Sequence, residues 1–208
     1  MSEGLLLIGA SGLAREVVAA GIAGVTGILD DDESRHGGEF AGFPVLGPVA
    51  LAAERPEQLL VCVGPGAGRR GIVRRLADAG VREDRYEIFA ARSARIGASS
   101  MICAGSILLD AVVVTADATL GRHVVVMPNS TITHDDVLAD FATLAAGVSL
   151  GGGVRIGEAA YVGMNAAVRQ GVAIGADAVV GMGAAVLEDV PEGETWAGVP
   201  ARNLGEKR

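Results

Sequence analysis

Aromatic side chains are nearly missing from this chain. They make up 3% of its 208 residues, too few large rings to fill a thick core. Histidine is almost as scarce: three in all, which leaves few candidates for acid–base or metal chemistry near neutral pH. The cysteines are Cys62 and Cys103 alone; they share no metal-ligand spacing and support neither a disulfide framework nor a zinc knuckle. No metal is expected, and a reducing cytoplasmic setting fits best. Positive charge is also short. A formal net charge of -8 works against nucleic acids and anionic membranes, both of which bind basic surfaces. The opening MSEGLLLIGASG lacks a basic segment, and its apolar run is too short for a signal peptide or a membrane span. Small-molecule substrates are the class left standing.

What is present is aliphatic and glycine-rich. Half of the chain is hydrophobic and 31 residues are Gly, which favours thin repetitive layers of Val, Ile, Leu and Ala around a sharply bending backbone. Two periods divide the chain, with the boundary expected between residues 90 and 91. In residues 1–90, short β-rich runs alternate with helix-like stretches, which predicts a small parallel sheet in a Rossmann-like α/β domain. Strands are expected at Leu5–Gly9, Val25–Leu29, Leu59–Val63 and Tyr86–Phe89, and helices at Leu13–Ala23, Val49–Glu54 and Arg69–Ala79.

In residues 91–208 every sixth residue is aliphatic, from Ile96, Ile102 and Leu108 without a failure to Ile174, Val180 and Val186. If about four residues in ten were aliphatic by chance, such a run would be an accident on the order of one in a million. Four residues after each of these the side chain is small (Ser100, Ser106, Ala118, Ser130, Ala142), with Asp136 as the polar intruder. Two inward positions per hexad describe a parallel β-helix. Three hexads make one triangular coil, stacked on the next at roughly the 4.8 Å strand spacing.

Two places carry chemistry. GASG at Gly9–Gly12 lies between a strand and a helix, where main-chain N–H groups attract phosphate. It lacks the full dinucleotide spacing, so an NAD-binding domain is a poor alternative, and a ligand-free tight turn a stronger one. The second place is THDD at Thr133–Asp136. His134 is the one histidine followed directly by carboxylates, Asp135 and Asp136, and a carboxylate on one ring nitrogen fixes the tautomer and raises the basicity of the other. Residues 18 apart stack, so Ala116 and Gly152 flank His134 and leave an open slot, with Gly151–Gly153 supplying N–H groups for an oxyanion. The bland reading is a solvated corner histidine. His123, at another outward position, reads as a surface residue, and His36 as a solvated loop residue.

The unbroken hexads, the strand–GASG–helix start, THDD and the tail DVPEGETWAGVPAR together resemble the sialic acid O-acetyltransferase family of bacterial sugar acyltransferases, which includes the bacillosamine and perosamine N-acetyltransferases. The resemblance covers nearly the whole chain. It implies a left-handed β-helix, against the usual right-handed crossover rule, and a homotrimer with active sites between subunits. It implies acetyl-CoA as donor and a nucleotide-linked amino sugar of the 4-amino-4,6-dideoxy type as acceptor, joined by direct transfer with His134 as general base and Asp135 as the orienting acid. Ser11, Gly12 and Leu13 would touch the nucleotide, Asp30 and Asp31 its base or ribose, and Gly64 would lie beside it. Donor contacts carried over by position are Thr143, Gly152, Met164, Ala173 and Gly181, with AGVPAR near the adenine.

Departures from the family pattern are Thr143 where a second His is common, FAARSAR before the first hexad where a His-Pro pair is frequent, and Asp136 itself. O-acetylation of a sialic-acid-like sugar, a zinc carbonic anhydrase on the same fold, and a non-catalytic β-helix scaffold are the competing functions. The carbonic anhydrase would need three converging histidines, one more than the β-helix half contains.

Overall fold

A computed structural model describes residues 4–205, so Met1–Glu3, part of the opening segment read for a targeting signal, lie outside it. The chain starts with β1 (Leu5–Ile8), a fully buried aliphatic run. Helix α1 (Gly12–Ala19) follows, its N-terminus capped by the Ser11 side chain accepting from the Ala14 N–H, which satisfies one of the donors a helix start leaves free. It stops at Ala20, before Gly21 at φ 88°, earlier than the apolar pattern suggests. Strands β2 (Val25–Leu29), β3 (Glu39–Phe40), β4 (Phe43–Gly47) and β5 (Gln58–Val61) complete a sheet in the order β3-β4-β2-β1-β5.

That sheet is mixed rather than purely parallel. β3 and β4 form an antiparallel hairpin, inside a Gly-rich stretch whose composition hides it. The Val49–Glu54 stretch is a 3-10 helix, and α2 spans Gly66–Asp78. Tyr86 only bridges Leu59. Phe89–Ala90, expected at the end of the sheet domain, instead pairs with Ile107–Leu108 as the first strand of the β-helix.

From there two-residue strands recur on three faces, and the rungs wind as a left-handed parallel β-helix. The first face runs from Arg95–Ile96 through Thr131–Ile132 and Ser149–Leu150 to Ala185–Val186; the second includes Val137–Leu138 and Ala173–Ile174; the third includes Val125–Val126, Thr143–Leu144, Tyr161–Val162 and Val179–Val180. Both inward positions of the hexad form a narrow aliphatic column from Leu108 to Val190. From Gly105 to Gly183 the turn residue three after each aliphatic position takes φ near +53° to +75°, as at Asp117, His123, Asn129, Asp135 and Gly153, which favours the Gly, Asn and Asp often found there.

The sheet domain packs on the third face. Leu5, Leu7, Leu13, Val17 and Leu60 share one core with Ile107, Leu109 and Val125. Arg69 of α2, fully buried, joins the two parts. Its guanidinium donates to the carbonyls of Val63 and Gly64 on one side, of His123, Phe141 and Ala142 on the other, and to Thr143 Oγ1. Burial, with no carboxylate beside it among the described residues, holds its pKa down to about 10.

Candidate active site

His134 stands on the turn between the first and second faces. Asp135 follows at φ 63°, a left-handed conformation that turns its carboxylate back so that Oδ2 sits 2.7 Å from His134 Nδ1. A carboxylate only accepts, so Nδ1 carries the proton and Nε2 keeps its lone pair. The Asp135 hydrogen bond raises the pKa of His134 above its ordinary 6.5. The imidazole lies over the next coil: a Cβ on Gly152 would come within 2.4 Å of both Cε1 and Nε2. Glycine at 152 is what lets the ring lie there, and 60% of the His134 side chain is exposed to an incoming ligand. The arrangement offers an oriented, solvent-accessible base with raised proton affinity.

The sheet-domain residues gather at the carboxyl edge of β1 and β5, where an α/β sheet takes its ligands. There the polar side chains build the loops themselves. Ser11 Oγ donates to the Cys62 carbonyl at 2.5 Å. Asp30 accepts from the N–H groups of Ala10 at 2.6 Å and Asp32 at 2.8 Å. Asp31 accepts from the Val49 N–H and pairs with Arg75 at 2.7 Å, contacts that hold its pKa down. His36, expected to be solvated, is half-buried and ties Nε2 to the Asp30 carbonyl. Gly12 and Gly64 both face open space, so a ligand can approach their backbone closely.

Leu13 and Gly64 line a groove of about 440 Å³ with the α2 start at Gly66 and, from the third face, Val125, Thr143, Tyr161 and Val179. Thr143 is buried, and its hydroxyl serves Arg69 at 2.9 Å and the Gly64 carbonyl at 3.4 Å. The groove and His134 therefore occupy different sides of one chain. The residues carried over for the donor are likewise spread round the coil. Gly152 underlies His134, Ala173 is on the second face, and Met164 and Gly181 flank the turn between the third and first faces.

His123 corrects the surface assignment. Its turn points away from the aliphatic column, but the sheet domain covers it, and the residue is 1% exposed. The ring stacks on Phe141 and meets the edge of Tyr86. Burial pushes its pKa down to about 4, so it stays neutral in the fold. Arg69, the joint between the domains, entered the sequence analysis only as the start of an expected helix. The helical period held the clue, since Arg69 shares a face with Val73 and Leu76. Among the described residues no group of His, Cys, Asp and Glu is disposed to hold a metal ion, and no helix is long and apolar enough to cross a membrane.

No sequence-family model matches the chain. Solved structures do. The acetyltransferase domain of PglB from Neisseria gonorrhoeae, in complex with acetyl coenzyme A, is 31% identical, with 98% of this chain and 100% of that one covered at a TM-score of 0.88. PerB from Caulobacter crescentus, in complex with CoA and GDP-perosamine, is 29% identical over 97% of each chain at a TM-score of 0.87. WeeI from Acinetobacter baumannii is 26% identical, with 96% of this chain and 99% of that one covered at 0.84. Identity above 30% across almost the full length, on the same sheet domain and β-helix, places the relationship beyond shared fold. The chain belongs to the hexapeptide-repeat family of bacterial sugar acetyltransferases.

Proposed function

We propose that the protein transfers an acetyl group from acetyl-CoA to the amino group of a nucleotide-linked 4-amino-4,6-dideoxy sugar, in the cytoplasm, as a homotrimer. The observation that carries this reading is the exposed His134 imidazole, its Nδ1 held by Asp135 and its Nε2 lying over Gly152. The amine nitrogen attacks the thioester carbonyl and passes its proton to Nε2. The carbon–sulfur bond then breaks, and the imidazolium returns the proton to the departing thiolate. Of the Gly151–Gly153 turn, the N–H groups of Gly151 and Gly153 already donate to the Val168 and His134 carbonyls. That corrects the expectation that all three serve the oxyanion and leaves the N–H of Gly152, beneath the ring, as its donor. No covalent enzyme intermediate is needed once both substrates are held together.

The acceptor's nucleotide lies along the loops of Ser11–Leu13, Asp30–Asp31 and Gly64, whose side chains are tied into the backbone and so present a rigid edge. Because that edge and His134 lie on different sides of one chain, a site that joins them takes His134 from one subunit and the groove from its neighbour. Gly152, Met164, Ala173 and Gly181 then contact the donor from more than one subunit, while Thr143 acts beneath the groove. The neighbour PerB was solved with CoA and GDP-perosamine together, which supports this pairing of substrates.

The test is a thiol-release assay with acetyl-CoA and a panel of UDP-, GDP- and dTDP-linked amino sugars. One of them is expected to turn over, and His134→Ala to abolish release without loss of folding. Turnover confined to hydroxyl-bearing sialic-acid-like sugars would transfer the assignment to O-acetylation. Binding with no turnover on any sugar would make the β-helix a scaffold.

A further inference from the structure

The turn that carries His134 differs from its counterparts in the other coils. At the same position of the first-to-second-face turn, the N–H groups of Gly97, Thr115, Gly151 and Arg169 continue the ladder, donating to the carbonyls of Val114, Ile132, Val168 and Val186. The Thr133 N–H turns instead to Asp136 Oδ2 at 2.7 Å, and the Thr133 hydroxyl takes its place on the Leu150 carbonyl at 3.1 Å. The pairing of Thr131–Ile132 with Ser149–Leu150 is accordingly reduced to Thr131 opposite Ser149, whereas the neighbouring pairs on that face, Val113–Val114 with Thr131–Ile132 and Ser149–Leu150 with Ala167–Val168, keep both residues in register.

Asp136 is fully buried among aliphatic side chains. Its second oxygen accepts from the Val154 N–H, one coil on, at 2.8 Å. Capping that N–H does not require a carboxylate. Ser106 performs the same task for the Val124 N–H at 3.1 Å, without the desolvation that pushes the Asp136 pKa up to about 6. What the carboxylate adds over a serine is its reach to Thr133, the residue before His134.

We propose that Asp136 is a positioning residue for His134: by drawing the Thr133 N–H off the ladder and pinning it to Val154 on the next coil, it fixes the turn that lays the imidazole over Gly152. Asp135 sets the ring's tautomer, and Asp136 sets the backbone from which the ring projects. This rests on His134 being the base, and the two ideas fail separately.

The experiment is steady-state kinetics and melting of Asp136→Ser, measured beside His134→Ala. Serine can still cap Val154 but cannot reach Thr133. The expected result is a melting temperature close to that of the parent protein and a kcat lowered about tenfold or more, with KM for both substrates nearly unchanged. A purely structural Asp136 would move kcat only as far as it moves folding. A folded Asp136→Ser protein with the parent kcat overturns the inference, while a fully active His134→Ala overturns the reading beneath it. If Asp136→Ser does not fold, Thr133→Val decides. Loss of the hydroxyl frees the Leu150 carbonyl to recapture the main-chain N–H of residue 133, so kcat should fall; an unchanged kcat overturns the inference.

Discussion

Two turns of the β-helix each carry a histidine, and their surroundings give the two rings opposite properties. At His134 nothing among the described residues of the sheet domain covers the turn. The ring is 60% exposed, a carboxylate holds Nδ1, and its affinity for a proton is raised. At His123 the sheet domain closes over the turn. The ring lies against Phe141 and Tyr86, neither ring nitrogen has a hydrogen-bond partner among the described residues, and its pKa falls to about 4. The repeat decides only that a side chain leaves the column. Whatever lies outside decides whether it becomes a base or a packing element.

The comparison breaks most sharply with alanine. His134→Ala should lower kcat by about 10²–10⁴-fold with little change in melting temperature. His123→Ala should do the reverse, destabilising the fold by about 2 kcal/mol or more through lost packing while leaving the kcat of the folded protein nearly intact. Kinetics and thermal melts on the two variants check both halves at once.

Next in size is Asp135→Asn, expected to lower kcat about 10–100-fold. Because Asp135 raises the His134 pKa, its removal should also move the acid limb of the kcat profile to lower pH. Gly152→Ala should follow with a loss of about tenfold, since its Cβ would meet the imidazole at 2.4 Å and turn Nε2 aside. A kcat equal to the parent's in either variant would show that the ring's placement is unimportant.

The smallest effect separates the turns by pH. His123 has a folded pKa near 4 against an ordinary 6.5, so its share of stability is present above pH 6.5 and is lost as pH falls toward 4. Asp136, raised from 3.8 to about 6, has the opposite sign: its share is present below pH 3.8 and is lost as pH rises through 6. The two partly cancel between pH 4 and 6. Denaturant melts across that window should show a steeper acid loss in Asp136→Ser and a shallower one in His123→Phe.

How much of this was legible follows from range along the chain. Hexads are local, so the column from Leu108 to Val190 and the outward turn of His134 could be read from spacing, while the choice of Asp135 over Asp136 as its partner came from the family resemblance. So could Gly152, one coil beyond His134, as the floor beneath the ring. Coverage of the third face was not legible, because it depends on α2 meeting residues far away in sequence. Arg69 reaches Phe141 and Thr143 from across that gap, and His123 is buried by the same docking. The β3–β4 hairpin was masked by its glycines and Pro44. Donor residues transferred by position came out on three sides of the coil, a scatter that their phases within the repeat already contain.

The central claim is that an imidazole backed by a carboxylate meets donor and acceptor in a cleft completed by a second subunit. The most direct measurement is a crystal structure with CoA and the nucleotide amino sugar bound together. The account predicts the sugar's amine within about 2.6–3.2 Å of His134 Nε2, with the nucleotide on the loops of a neighbouring subunit. An imidazole far from both ligands and from any subunit boundary would contradict it.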